Sequence, residues 1–320
     1  AWWMWTGFCV WLSCVARIGE AANPGPDLCE STEVFYVEST NVTNLETHIT
    51  MLVERQAPLQ FLQEHSLAPS KHGWARAVFR DHRKKLHLSG LDPQGAHKLA
   101  GVATIAAGQK AIGVVEPKTK EFAEARQTGR AEITCTAITT NMQLATANLY
   151  CYTGSNKRQP QMRKTNCRAK AVIAELSKMG GKYKMIVGDL NADIQNIVAF
   201  KELLDTGWVD LGGKAFIWNQ PPAEYTCLTA TAKQGTRRDY MLVSPDLFPL
   251  ICSFEVIHEH GLPTHSTLRC GIKPPVGQLT RRCMKQPKSI YGALEEKFDS
   301  EYGETQEDMM DEDGELEETY

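Results

Sequence analysis

The stretch that most constrains this chain is Lys184-Met-Ile-Val-Gly-Asp-Leu-Asn-Ala-Asp193. Its apolar run, Met185 to Val187, reads as a short buried strand, and Gly188 lets the backbone turn at its end. Asp189 and Asn191 then stand two residues apart, so in extended chain they project to the same side. A carboxylate and a carboxamide side by side at a strand end can bind Mg²⁺ or a phosphate oxygen, or activate a water. Taken alone, the decapeptide is equally a strand followed by an Asx turn. The first reading gains weight because four more polar clusters also close apolar runs.

Glu33 to Thr40 reads as a strand leading to Asn41. Leu45 to Gln56 places Leu45, Ile49, Leu52 and Val53 at helical spacing. Pro58 to His65 reads as a strand ending in Glu64. Gly73 to His87 carries Ala75, Ala77 and Phe79 in alternation, and the basic run His82-Arg-Lys-Lys85 reads as a solvated turn. Leu99 to Ala107 and Ala111 to Val115 read as paired strands, and Ala131 to Thr139 with Gln143 to Tyr152 as an antiparallel pair. Gly154 to Lys164 reads as a basic loop before a helix over Thr165 to Met179. Beyond the central strand come a short helix from Val198 to Leu204 and strands over Arg237–Val243, Ile251–His258 and Ser266–Ile272. Strand pairs alternating with helices point to mixed sheets with helices outside.

The strand ends offer Asn41, Glu64, Tyr150 or Tyr152, Asp189 with Asn191, Asp239 and His265. This is a coherent kit for metal-assisted phosphodiester cleavage. Glu64 can hold Mg²⁺ through hard oxygen. Asp189 can orient or deprotonate a water. His265 can bind phosphate or share proton transfer, with Asp239 fixing its tautomer. Asn41 and Asn191 can add neutral donors or acceptors. Each residue alone has a structural explanation; the ordered set is what carries chemistry.

That order and spacing resemble the endonuclease/exonuclease/phosphatase family, which includes apurinic endonucleases and the endonuclease modules of non-LTR retrotransposons. Thr40-Asn41-Val-Thr-Asn-Leu45 resembles the family's first-strand Asn motif, and Leu62-Gln63-Glu64 its metal-binding Gln-Glu. Asn148-Leu-Tyr150 resembles the strand whose Tyr contacts phosphate, which favours Tyr150 over Tyr152. Gly188-Asp189-Leu-Asn191 resembles the Gly-Asp-x-Asn core, Gly207-Trp-Val-Asp210 the loop after it, and Arg238-Asp239-Tyr240 the strand whose Asp pairs with the catalytic His. Thr264-His265 stands where the family has Asp-His, so a ligand carboxylate is replaced by an uncharged hydroxyl. The match covers roughly residues 33–272. It implies a DNase I-like α/β fold, a four-layer αββα sandwich of two mixed β-sheets. It implies catalytic roles for Asp189, His265, Asp239, Asn191 and Tyr150, and metal-binding roles for Glu64 and Asn41. The expected ion is Mg²⁺, with Mn²⁺ able to replace it. Lys157, Arg158, Arg163, Arg237 and Arg238 would flank the cleft and track a phosphate backbone.

Charge agrees with a polyanionic substrate. Residues 293–320 hold 13 of the 38 acidic residues and one of the 35 basic ones, which leaves 25 acidic against 34 basic, a net of +9, in the rest. We therefore expect an apolar leader over residues 1–30, one domain over 31–275, and a disordered tail over 276–320 with an acidic end. Asn23-Pro-Gly-Pro26 reads as a turn, and it also resembles the end of ribosome-skipping peptides of retroelement polyproteins, with Ala21 where that pattern wants an acid. The ten cysteines form no C-x-x-C pair, which argues against zinc and for a reducing compartment. The expected activity is that of a Mg²⁺-dependent DNA endonuclease of retroelement type. Its partners would be DNA and a reverse transcriptase module of the same polyprotein, with no membrane. Its location would be nuclear, otherwise cytoplasmic, and not secreted. The alternatives are hydrolysis of small or lipid phosphoesters, and a degenerate domain that binds nucleic acid without cutting it.

Overall fold

A computed structural model describes residues 34–275, apart from 94–99, 109, 140, 230 and 259–260. The expected leader and tail lie outside the described residues. Two β-α-β crossovers organise the chain. In the first, β1 (Phe35–Asn41) leads through α1 (Leu45–Glu54) to β2 (Leu59–Gln63), which pairs parallel to β1 with Asn41 opposite Gln63. The Asn44 side chain caps α1 by accepting from the Thr47 amide at 3.2 Å. In the second, β7 (Met142–Tyr150) leads through α4 (Gln159–Lys178) to β8 (Lys184–Asp189), parallel again, with Tyr150 opposite Asp189.

The remaining elements complete two six-stranded mixed sheets. One joins β1 and β2 to β3 (Lys84–Leu88), β4 (Val102–Ala107), β11 (Ile251–Ile257) and β12 (Thr267–Ile272). The other joins β7 and β8 to β5 (Gly113–Val114), β6 (Ala131–Thr139), β9 (Val209–Asp210) and β10 (Asp239–Val243). Strand periodicity sorts the side chains into three cores. Val37, Phe61, Met185, Val187, Met241 and Leu268 fill the space between the sheets. Leu45, Leu52, Leu62 and Ile105 meet Phe79 of α2 (His72–Asp81) outside the first sheet. Ile186 and Leu149 meet Val172 of α4, Phe122 of α3 (Lys120–Gln127) and Phe200 of α5 (Val198–Asp205) outside the second. Three cores between four layers are the expected αββα sandwich. No helix among the described residues is long and apolar enough to cross a membrane.

Several local expectations are corrected. Residues 72–81 form α2, not an alternating strand, because Ala75 and Phe79 sit one helical turn apart and bury together. Small alanines fit either period, so the sequence under-determines this segment. The strands near 99–107 and 111–115 do not pair: β4 lies between β2 and β3, while β5 pairs with β6 in the other sheet. Lys84 is no solvated turn residue. It is buried, and its ammonium caps α1 by donating to the carbonyl of Arg55. Helix α4 begins at Gln159, with Pro160 in its first turn, so Arg163 is helical rather than in a loop.

His65, next to Glu64, is fully buried and packed onto Gly101, where an added Cβ would lie 2.2 Å from its Nε2. Its Nδ1 accepts from the Leu67 amide at 3.1 Å and its Nε2 faces the Ser89 carbonyl at 3.3 Å, an arrangement for a neutral ring. Burial, then the neighbouring His72, pushes its pKa down to about 4. The folded state therefore binds this proton less readily than the unfolded chain. Its stability contribution is full above pH 6.5 and is lost as pH falls towards 4, by about 3 kcal/mol over that window. Urea midpoints measured at pH 7.5 and 4.5 should fall less steeply for His65→Gln than for the native chain; equal slopes would refute this.

Candidate active site

The parallel strands β1, β2, β7 and β8 end where the antiparallel β10 and β12 begin, so six candidate positions collect at one end of the sandwich. Asn41 closes β1, Glu64 follows β2, Tyr150 closes β7 and Asp189 closes β8. Asp239 opens β10 directly opposite Asp189, and His265 precedes β12. Asn41 bridges the two sheets: its Nδ2 donates to Asp189 Oδ2 at 2.9 Å and to Glu64 Oε2 at 3.1 Å. Glu64 and Asn191 both hold left-handed backbone, at φ 56° and 51°. Such local strain concentrates at working sites.

Asp189 is nearly inaccessible. Asn191 wraps it, its amide N–H donating to Oδ1 at 2.8 Å and its Nδ2 to Oδ2 at 2.9 Å. Burial, then the charge of Asp239, nevertheless raises its pKa to about 6, against the opposing pull of His265, Asn41 and Asn191. The carboxylate is thus poised to exchange a proton near neutral pH. His265 is buried, which disfavours its charge. The Asp239 carboxylate at 2.9 Å from Nδ1, with Cys227 and Asp189, outweighs this and moves its pKa upward. Its Nε2 stands 3.9 Å from Asp189 Oδ2. Tyr150 is also buried; burial, then Glu64 and Asp189, raises its phenol above the ordinary range, so it stays a neutral donor beside Glu64.

The donor set suits a hard divalent ion. Glu64, Asp189 and Asp239 present three carboxylates against one imidazolium, and Asp239 Oδ1 is buried with no partner. Single ligand atoms of Asp189, Asp239 and His265 lie within 4.8 Å of one another. Carboxylate oxygens favour Mg²⁺ or Mn²⁺. Asn41, expected as a metal ligand, is a brace between the two sheets in this structure. Its oxygen already accepts from the Thr43 amide at 2.8 Å, and an amide lying between two carboxylates must turn its N–H groups to them.

No family model matches this chain, and no curated protein does. Solved structures do. The 3′ phosphatase NExo from Neisseria, bound to a product DNA hairpin, superposes with a TM-score of 0.58 at 17% identity, over 74% of this chain and 99% of that one. An AP endonuclease from Archaeoglobus fulgidus gives 0.57 at 16% identity, over 75% and 100%. The endonuclease domain of TRAS1, a telomere-specific non-LTR retrotransposon, gives 0.53 at 14% identity, over 75% and 99%. The fold is the one these solved structures share. At these identities the likeness is one of architecture.

Within this DNase I-like fold the five basic residues separate. Arg238 reaches the centre, donating from Nη1 to Asn191 Oδ1 at 3.3 Å and from Nε to Thr236 Oγ1 at 3.1 Å. Arg237 does not act as a free cleft cation. Asp210 holds it at 2.5 and 2.8 Å, and it covers the ring of Tyr240. Lys157 and Arg158 are exposed in the turn before α4, and Arg163 is exposed on that helix. Asn156 ties this turn to the segment after Asp189, its Oδ1 accepting from the Asp193 amide at 3.0 Å.

Sequence reasoning assigned no role to Thr226. Its hydroxyl accepts from the amides of Arg238 and Asp239 at 3.0 and 2.9 Å. Its proton is therefore directed to Asp239 Oδ2 at 2.7 Å, the oxygen that faces His265. The pattern Glu224-Tyr-Thr226 upstream of Arg238-Asp239 carries no local signal for this contact. Thr226→Val should lower kcat about 10- to 100-fold, the usual cost of removing a partner that orients a working side chain. Thr226→Ser should restore it; equal activity of the Val and Ser forms would refute the role. Thr264 contributes a backbone contact: its carbonyl accepts from the Leu228 amide at 2.9 Å.

Proposed function

We propose that this chain is a divalent-metal-dependent phosphodiesterase that nicks DNA. The observation that carries the reading is Asp189. It is a buried carboxyl tuned to about 6, held between Asn41 and Asn191, and faces an Asp239–His265 pair. Asp189 orients and deprotonates the attacking water. His265, kept protonated by Asp239, binds the phosphate and supplies a proton to the departing oxygen. Tyr150, Asn191 and Arg238 add neutral and cationic donors around the phosphate. Glu64 with the two aspartates would hold the ion, which when bound polarises the phosphoryl oxygen and offsets charge in the transition state.

DNA as substrate is supported by the basic body and by the similar structures, named as AP endonuclease, retrotransposon endonuclease and a phosphatase on a DNA hairpin. The likeness to TRAS1, together with Asn23-Pro-Gly-Pro26, supports a retroelement origin, a reverse transcriptase module as partner and work in the nucleus. Plasmid nicking by the full chain tests the reading. We expect nicking with Mg²⁺ or Mn²⁺, abolished by Asp189→Ala and by His265→Ala. Undiminished cleavage by either variant, or none by the native chain, would refute it.

A further inference from the structure

Tyr152 lies just beyond β7, two residues after Tyr150. Three cations converge on its ring: Arg168 at 4.6 Å, Arg130 at 4.8 Å and Lys164 at 5.3 Å from the centroid. Arg130 is shared with the active centre, since it sits 4.8 Å from the Tyr150 ring as well. Among the described residues one carboxylate answers them, Asp92, which accepts from Arg130 Nε at 2.9 Å. Arg168 is 6% exposed, yet no carboxylate pairs with it among the described residues. Its Nη2 donates to Thr128 Oγ1 at 2.8 Å and to Tyr152 Oη at 3.0 Å, and its Nε and Nη1 have no partner. A buried guanidinium without an anion is costly to maintain.

The phenol shows where the anion belongs. Because its oxygen accepts from Arg168, its own proton is left to donate, and no described residue takes it. Tyr152 is half-buried and Lys164 exposed, whereas Arg168 is buried. We propose that Tyr152, backed by Arg168 and flanked by Arg130 and Lys164, binds a second phosphate of the nucleic-acid strand, adjacent to the one at the Glu64–Asp189 centre. This rests on the nuclease reading above. Tyr152 donates its O–H to the phosphate, Lys164 neutralises it, and Arg168 fixes the direction of the phenol. The two tyrosines thus divide the backbone: Tyr150 serves the reacting phosphate, Tyr152 its neighbour.

The test is binding of the full chain to a duplex in EDTA, so that nothing is cut, with one methylphosphonate walked through the strand. Tyr152→Phe keeps the ring and removes the donor; it should weaken binding of the fully charged duplex about tenfold. Lys164→Met should reduce the salt slope by about one phosphate contact. In the native chain one neutralised position should cost affinity near the scissile bond, and at that position Tyr152→Phe should cost nothing more. If Tyr152→Phe binds every duplex as the native chain does, or is weaker by the same factor at all positions, the subsite is overturned and the nuclease reading stands. If the native chain binds no DNA, both are overturned.

Discussion

Asp189→Asn is expected to abolish hydrolysis and to make the metal-free protein more stable. Activity should fall about 10³-fold or more, since an amide cannot take a proton from water. The stability change follows from the raised pKa. Asp189 titrates near 6 in the folded chain against 3.8 when unfolded. The folded state therefore holds this proton more tightly, and the ionised group is a penalty that is full above pH 6 and disappears as pH falls towards 3.8. At pH 7.5 the penalty is about 3 kcal/mol. The Asn variant escapes it but presents an amide where the Asn191 N–H expects an acceptor, which returns about 1–2 kcal/mol. The net gain should appear as a Tm higher by about 2–6 °C in EDTA. Mg²⁺ should then stabilise the native chain more than the variant. A lower Tm for Asp189→Asn would sink the view that this site is held against its own stability.

Gly188→Ala is expected to prevent folding. Gly188 has φ 144°, and a Cβ there would lie 1.9 Å from the carbonyl oxygen of Leu149, with the Leu149 carbonyl carbon and amide nitrogen at 2.7 and 2.9 Å. All three are backbone atoms of β7, so no side chain can swing aside. Relief would require β7 and β8 to separate, and their parallel pairing is what sets Tyr150 beside Asp189. We expect a loss of more than about 4 kcal/mol, read as insoluble expression or a collapsed urea midpoint. A soluble variant within a few degrees of the native Tm would mean that the register between these strands is wrong.

The convergence of the candidate positions was legible because each one closes or opens an apolar run, and strand ends at one edge of a sandwich must meet. The apolar run Met185 to Val187 reads as a buried strand, and in the structure Met185 and Val187 face one core and Ile186 the other. What was not legible depends on partners far along the chain. β4 and β5 read as a pair because they are neighbours in sequence, but they belong to different sheets. Arg237 reads as a cleft cation until Asp210, 27 residues away, is seen to hold it. Glu175 looks like a surface acid of α4, yet it is fully buried and accepts from the amides of Lys118 and Thr119 ahead of α3. Helix α3 does carry a local signal: Thr119 before Glu121 and buried Phe122 is a helix start.

The first and last described strands are partners: Phe35 of β1 lies opposite Ile272 of β12. The chain therefore enters and leaves the sandwich side by side. It does so at the edge away from Asn41, which is seven residues along β1, or about 20 Å at strand rise. A sandwich whose two ends are neighbours, at the far end of the strands from its candidate site, is the geometry that tolerates insertion within a longer polypeptide.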